Sequence, residues 1–375
     1  LFQSRFHRCI TRILSSWWVF KMRLLFISRA YPPVVGGLEN QNFAIHQALS
    51  GKLLVKSIIN TKGKKNLALF LALALYKALF KAGNAEVILL GDGVLAVIGW
   101  VIKMAKPKAR VVCIIHGLDV TYTKPIYQFF WLKIFLPRLD AIIAVSQATA
   151  QAAIDKGIIN SKITIIPNAV SSPEIKFDQS LLTKLKSDFK AENQFVLLTI
   201  GRLVKRKGVN WFIQNVMPKI KDQYIYWVAG DGPERMAIEK TIEQYNLQNN
   251  VVYFGLVSEE MKAALYASAD CFVQPNIQVM GDMEGFGLAV LEANSYGLPV
   301  LAAKLEGLID AITDNQNGWF FESENANSFV QKLQELKVSQ VDMKAAGEQA
   351  KAFSELHFSW DKIADQYIAA FKKHG

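Results

Sequence analysis

Gly281-Asp282-Met283-Glu284-Gly285-Phe286-Gly287-Leu288-Ala289-Val290-Leu291-Glu292 is the stretch on which the reading turns. Two glycines enter a helix that carries an acid one turn inside. Free N–H groups at a helix start, together with the helix dipole, form a site for an anion. Gly285 and Gly287 would let a phosphate come close to the backbone. Carboxylates are poor company for that phosphate, so Glu284 and Glu292 are read as acceptors of hydrogen bonds from hydroxyls. A nucleotide diphosphate sugar, with phosphates between two polyhydroxylated parts, meets both needs. The plainer reading makes Glu292 an ordinary helix acid and Glu284 a loop charge.

Around this stretch, apolar strand-like runs alternate with helical ones, the pattern of parallel sheets covered by helices. Strands are expected at Leu24–Ser28, Leu53–Ile59, Val87–Leu90, Arg110–Ile115, Ala141–Val145 and Lys162–Ile166. Residues 169–193 are polar, as expected of a linker with a short helix. A second series follows at Phe195–Ile200, Tyr224–Ala229, Val251–Phe254, Cys271–Gln274 and Pro299–Ala303. The last helix, Trp360–Phe371, carries an apolar stripe that must be buried, and we place it across the junction. The expected division is an extension (1–21), an acceptor-side domain (22–185), a nucleotide-sugar domain (186–355) and a returning helix (356–375). Ligands of open parallel sheets bind beyond the carboxyl ends of the strands. Those loops hold Gly36-Gly37, His116, Gly201-Arg202, Gly230–Gly232 and Gly281–Leu288.

The run Gly201-Arg202-Leu203-Val204-Lys205-Arg206-Lys207-Gly208 is the second informative segment. Arg202 and Lys207 could neutralise charge developing on a departing diphosphate. A basic loop alone is usually just solvated; beside an anion-binding helix start it means more. His116, at a strand end, could hydrogen-bond a sugar, although a lone histidine is as often structural. Gly37, at a strand-to-helix turn, could admit a phosphate or acceptor. The sequence has no GxGxxG after a strand, no GxxxxGK[ST], no GxSxG and no DxD pair for a catalytic metal.

Gly36-Gly37, His116-Gly117, Ile166-Pro167-Asn168, Gly201–Gly208, Gly230–Pro233 and Glu284–Glu292 occur in that order. Together they resemble the retaining glycosyltransferases of family 4, from Met22 to the final helix, with the Glu-x7-Glu spacing as the most specific part. The resemblance implies a GT-B fold, two Rossmann-like doubly wound domains facing across a cleft. It implies a hexosyltransferase without metal or other cofactor. Glu284 would hold donor-sugar hydroxyls and Glu292 the ribose. Arg202, Lys207 and the Phe286–Leu288 backbone would hold the diphosphate. Phe254-Gly255 would lie near the base and His116 near the anomeric centre, with Gly37 and Gly201 lining the donor site. Retention by double displacement needs a carboxylate nucleophile, for which only Glu284 stands ready; the family implies front-face attack within an ion pair. A sugar-nucleotide epimerase of the same fold is the alternative. A phosphorylase would need a lysine-bound pyridoxal phosphate, which nothing marks.

The chain has 375 residues, enough for two domains, and its 43 basic and 32 acidic side chains are unevenly placed. Residues 1–190 carry 26 Lys/Arg against 9 Asp/Glu, and residues 191–375 carry 17 against 23. The basic half should favour something anionic: nucleic acid, for which no signature is present, or a membrane surface. We expect a lipid-linked or envelope glycan acceptor and a cytoplasmic position, peripheral on the inner face of the plasma membrane. Three scattered cysteines suit a reducing compartment. The apolar run Leu67–Tyr76 is half of a membrane span, and Val94–Ile102 is shorter. Before Met22, Phe6, Ile10, Ile13, Leu14 and Trp17 fall on one helical face opposite Arg5, Arg8 and Arg12, as in a membrane-surface helix. We read the fold as starting at Met22, where Arg-Leu-Leu-Phe-Ile-Ser opens the first strand.

Overall fold

The computed structural model describes residues 22–373 apart from 35, 64, 65, 81, 82, 172–178, 190 and 193. The reading of the first 21 residues therefore lies outside the described residues, as do Lys64, Lys65 and part of the expected linker.

Six strands, β1 (Arg23–Ser28), β2 (Leu54–Ile59), β3 (Val87–Leu90), β4 (Arg110–Ile115), β5 (Ala141–Ala144) and β6 (Ile163–Ile165), form a parallel sheet in the order β2-β1-β3-β4-β5-β6. Six more, β7 (Phe195–Ile200), β8 (Tyr224–Ala229), β9 (Val251–Gly255), β10 (Cys271–Gln274), β11 (Val300–Ala303) and β12 (Trp319–Phe321), form a second in the order β12-β11-β10-β7-β8-β9. Both are doubly wound, as the alternation of strands and helices implied. In β1, Leu24 and Phe26 enter one core while Leu25 and Ile27 enter another. Such strands are covered on both faces, so their sequences read as unbroken apolar runs.

Strand order reverses between β1 and β3 in the first sheet and between β7 and β10 in the second. Ligands of doubly wound sheets bind at these switch points. The loop after β1 contains Gly36-Gly37, the loop after β7 contains Gly201–Gly208, and the loop after β10 runs to Gly287.

The helix Trp360–Lys372 returns to the first half, burying Ile363, Ala364, Tyr367 and Phe371. Its Asp361 and Asp365 pair with Lys52 Nζ at 2.8 and 2.6 Å, and Arg110 donates to Ala370 O at 3.1 Å. One continuous apolar core thereby includes Leu24 and Val112 of the first sheet with Val196 and Phe272 of the second. Strand β12 and the helices Ala326–Val338 and Met343–His357 were not among the expected elements. No helix among the described residues is long and apolar enough to cross a membrane.

Candidate active site

The two halves touch through the segments that follow β4, β5 and β10. Thr149 Oγ1 donates to Gly285 O at 3.4 Å and Thr121 Oγ1 to Gly281 O at 3.4 Å. A Cβ at Gly285 would stand 2.1 Å from His116 O, so only glycine allows this approach. The missing side chain of Gly285 is thus required by the opposite loop. Gly287 has φ 87°, in the left-handed region, and opens the helix Leu288–Ser295. A Cβ there would meet Leu308 Cδ2 at 2.6 Å.

Two helix starts converge across the junction. A Cβ at Gly37, the first residue of the helix Gly37–Lys52, would lie 3.7 Å from Leu288 Cδ1, at the first residue of its counterpart. Neither N-cap, Gly36 or Gly287, has a side-chain acceptor for the first-turn N–H groups. The two helix starts therefore address one place, with the Glu39 carboxylate of the first lying against Gly36.

Beside them lies a network of charge. Lys207 Nζ donates to Glu284 Oε2 at 2.7 Å, and Asn276 Nδ2 donates to the same oxygen at 3.1 Å. Arg206 Nε stands 3.5 Å from it, while Arg206 Nη1 donates to Asp282 Oδ1 and Oδ2 at 3.1 and 3.2 Å. Burial alone would push the Glu284 carboxyl up, but Lys207 and Arg206 outweigh it, and with the hydrogen bonds they hold its pKa at about 2. The backbone N–H of Glu284 donates to Glu306 Oε2 at 2.6 Å, fixing the loop. Arg202 is exposed and has no side-chain partner among the described residues.

His116 is half-buried, its Nε2 3.0 Å from Gly91 O. A carbonyl only accepts, so Nε2 carries hydrogen and Nδ1 is the acceptor of the neutral ring. Asp119 Oδ2 accepts from the backbone N–H of His116 and of Gly93, both at 3.0 Å, tying the loop after β4 to the loop after β3.

Glu292, on the second turn of the helix Leu288–Ser295, pairs with Lys262 Nζ at 2.7 Å. Lys262 also holds Glu259 at 2.7 Å, and these carboxylates raise its pKa against the lowering effect of burial. Gly201 follows β7, its N–H donating to Ala229 O at 3.0 Å. Gly255 O accepts from Gly230 N–H at 2.7 Å, and Phe254 packs edge-on against Phe189 and Trp227 at 4.9 and 5.6 Å. The Phe286 ring is core, 5.8 Å from Phe358, leaving only its backbone for a ligand.

Structure thus joins His116 to Gly285, Gly37 to Leu288 and Lys207 to Glu284. Glu292 and Phe254-Gly255 sit on elements linked by Lys262, which follows β9. Sequence reasoning missed Arg206, Asn276, Lys262 and Glu306. Arg206 stands between Lys205 and Lys207 in a run that does not reveal its partners Asp282 and Glu284. The described residues contain no group of three or more His, Cys, Asp or Glu able to hold a metal ion.

Two family models match the chain, Glycosyl transferases group 1 over residues 183–353 and Glycosyltransferase Family 4 over residues 39–172. An uncharacterized 41.2 kDa protein in the cps region of Klebsiella pneumoniae is 26% identical over 276 residues, 72% of each chain. The alpha-galactosylglucosyldiacylglycerol synthase of Streptococcus pneumoniae is 29% identical over 220 residues, 54% of this chain and 56% of that one. The crystal structure of Anabaena HepE in complex with UDP has a TM-score of 0.76 at 19% identity, covering 94% of this chain and 100% of that one. The shared architecture is the GT-B fold.

Proposed function

We propose that this chain, a glycosyltransferase of the GT-B fold, moves a hexose from a nucleotide diphosphate sugar to a lipid-linked or cell-envelope glycan, with retention and without a metal ion. The observation that carries the reading is the convergence of the uncapped helix starts at Gly37 and Leu288 beside Lys207 and Glu284. A diphosphate suits the orphan N–H groups and the Lys207 ammonium, and hydroxyls suit the carboxylates. The UDP held by Anabaena HepE and the glycosylated diacylglycerol in the name of the Streptococcus relative support donor and acceptor classes of these kinds.

In this reading Arg202, Lys207 and the Phe286–Leu288 backbone hold the diphosphate, and Glu292 the ribose. Gly201 and Gly37 line the donor site, and Phe254-Gly255 lies near the base. Glu284 orients the sugar and His116 Nδ1 accepts from one of its hydroxyls. The bond between the anomeric carbon and the diphosphate oxygen breaks. The acceptor oxygen bonds to that carbon from the same face, and its proton passes to the departing phosphate. A carboxylate held by Lys207, Arg206 and Asn276 is a weak base and a poor nucleophile. This favours front-face attack over a covalent intermediate on Glu284. The protein would work in the cytoplasm, at the inner face of the plasma membrane.

The test is a screen of nucleotide sugars for thermal stabilisation and for nucleoside diphosphate release with EDTA present. Stabilisation and release by one donor class support the reading. Absence of both for every nucleotide sugar would overturn it.

A further inference from the structure

The helix Leu67–Phe80 has almost no polar side. Its inner face places Phe70, Ala74 and Ala78 in the core of the first half. Its exposed positions are Ala68, Leu69, Ala72, Leu73, Tyr76, Lys77 and Phe80, with a single charge among them. Leu69 is 62% exposed and Phe80 74%. Scattered apolar residues on a surface are ordinary, but a contiguous stripe marks a contact. A helix apolar all round is normally buried, and among the described residues nothing covers the exposed side of this one.

The exposed apolar surface continues on neighbouring elements. The helix packs on Ala96–Ala105, which packs on the π-helix Gln128–Phe135. There Phe129 is 57% exposed, and Ile126, one turn earlier, is 72% exposed. Rings then run along the surface from this face: Trp131 stacks on Tyr127 at 5.1 Å, and Tyr127 meets the exposed Tyr122 edge-on at 5.5 Å. Tyr122 belongs to the loop after His116, beside the candidate active site.

Charge identifies the cover. Residues 54–138 contain 13 Lys/Arg and 3 Asp/Glu. Asp92 and Asp119 are buried and Glu86 is paired with Arg23, while Lys77 on the helix and Lys124 beside Ile126 are exposed. A second copy on a two-fold axis would set this basic fringe against itself. An anionic lipid surface would accept both the apolar side chains and the lysines.

We propose that the face formed by the helix Leu67–Phe80 and the Ile126–Phe130 turn seats on an anionic lipid surface, so that an acceptor held in the bilayer enters past Tyr122 to His116. The apolar side chains enter the headgroup boundary while Lys77 reaches back to the phosphates. This rests on the lipid-linked acceptor of the proposed function.

The test is co-sedimentation of the full chain with vesicles of phosphatidylcholine, with and without phosphatidylglycerol, beside Leu73→Glu/Phe80→Glu and Phe129→Ser variants of checked fold. Donor hydrolysis is measured in parallel. We expect stronger binding to anionic vesicles, weakened by salt, and about tenfold weaker binding by the double variant. Donor hydrolysis should not change, because these side chains are remote from the donor. Phe129→Ser should show a smaller loss, keeping the test alive if the double variant fails to fold. Wild-type vesicle binding by both variants would overturn the proposal, as would equal binding to the two vesicle types. A dimer that the substitutions dissociate would instead assign the face to a second copy. Vesicle binding without turnover of any nucleotide sugar would contradict the functional reading and leave the docking face standing.

Discussion

Lys207 Nζ lies 2.7 Å from Glu284 Oε2, so the base expected to hold phosphate and the acid expected to hold sugar are bonded to each other across two loops of one sheet. The pair keeps a buried carboxylate ionised and in place. A diphosphate arriving at Lys207 would weaken its hold on Glu284, and a sugar hydroxyl could then take that share of the oxygen. Donor binding and the orientation of Glu284 would thereby be coupled.

That pairing has a pH signature. The Glu284 pKa is about 2 in the folded protein against 4.5 for the free group. A depressed folded pKa contributes stability above the unfolded value and loses it as pH falls through the folded one. The stability gap in urea between wild type and Glu284→Gln should narrow by about 3 kcal/mol as pH falls from about 4.5 to 2. A gap constant across that range would mean that the pair does not hold the carboxylate.

Arg202 and Arg206 should separate chemistry from structure. Arg202 is exposed and has no side-chain partner among the described residues, so Arg202→Ala should leave the melting temperature unchanged and reduce turnover by about 10²-fold. Arg206 bonds Asp282 and approaches Glu284, and its loss leaves two acids short of a partner. Arg206→Ala should lower both turnover and thermal stability. Identical behaviour of the two variants in melting and steady-state assays would contradict this division.

Gly285→Ala places a methyl group 2.1 Å from His116 O, which must move. Overpacking of this kind costs about 1–3 kcal/mol. We expect turnover to fall far more than secondary structure, because the two loops part at the candidate active site. Circular dichroism and steady-state kinetics together check it. A substitution at Gly287 is a poorer probe of phosphate binding. It combines a left-handed φ with contact against Leu308, so it would disturb the fold as well.

Both sheets were legible because strands buried on two faces leave apolar runs, and because Gly36-Gly37, Gly201–Gly208 and Gly285–Gly287 mark their carboxyl ends. Trp319–Phe321 was too short to distinguish from a turn, and Met343–His357 reads as a polar helix with nothing to place it. Within the candidate active site, helix starts and charged side chains were readable, but their partners were not. Arg206 sits between two lysines and reads as solvated, although Asp282 and Glu284 claim it. The close contacts of Gly285 and Gly287 could not be read because a glycine's neighbour in another segment leaves no trace in its own. His116 was visible as a strand-end histidine. Its anchor, Gly91 O, is a backbone atom that any residue would supply.

Lys262 ties Glu292 to the element after β9. Lys262→Met keeps the stem and removes the charge, leaving Glu292 unheld. Calorimetric nucleotide affinity should weaken by about fivefold, or 1 kcal/mol, with the fold intact. Unchanged affinity would remove Glu292 from the ribose contact.

The central claim is transfer of a sugar, with retention, from a nucleotide donor. Proton NMR of the reaction in EDTA, with a glycolipid acceptor added to an accepted nucleotide sugar, tests it most directly. We predict acceptor-dependent release of nucleoside diphosphate and a new glycosidic signal with the anomeric configuration of the donor. An isomerised nucleotide sugar formed without acceptor, or a linkage of inverted configuration, would contradict the account.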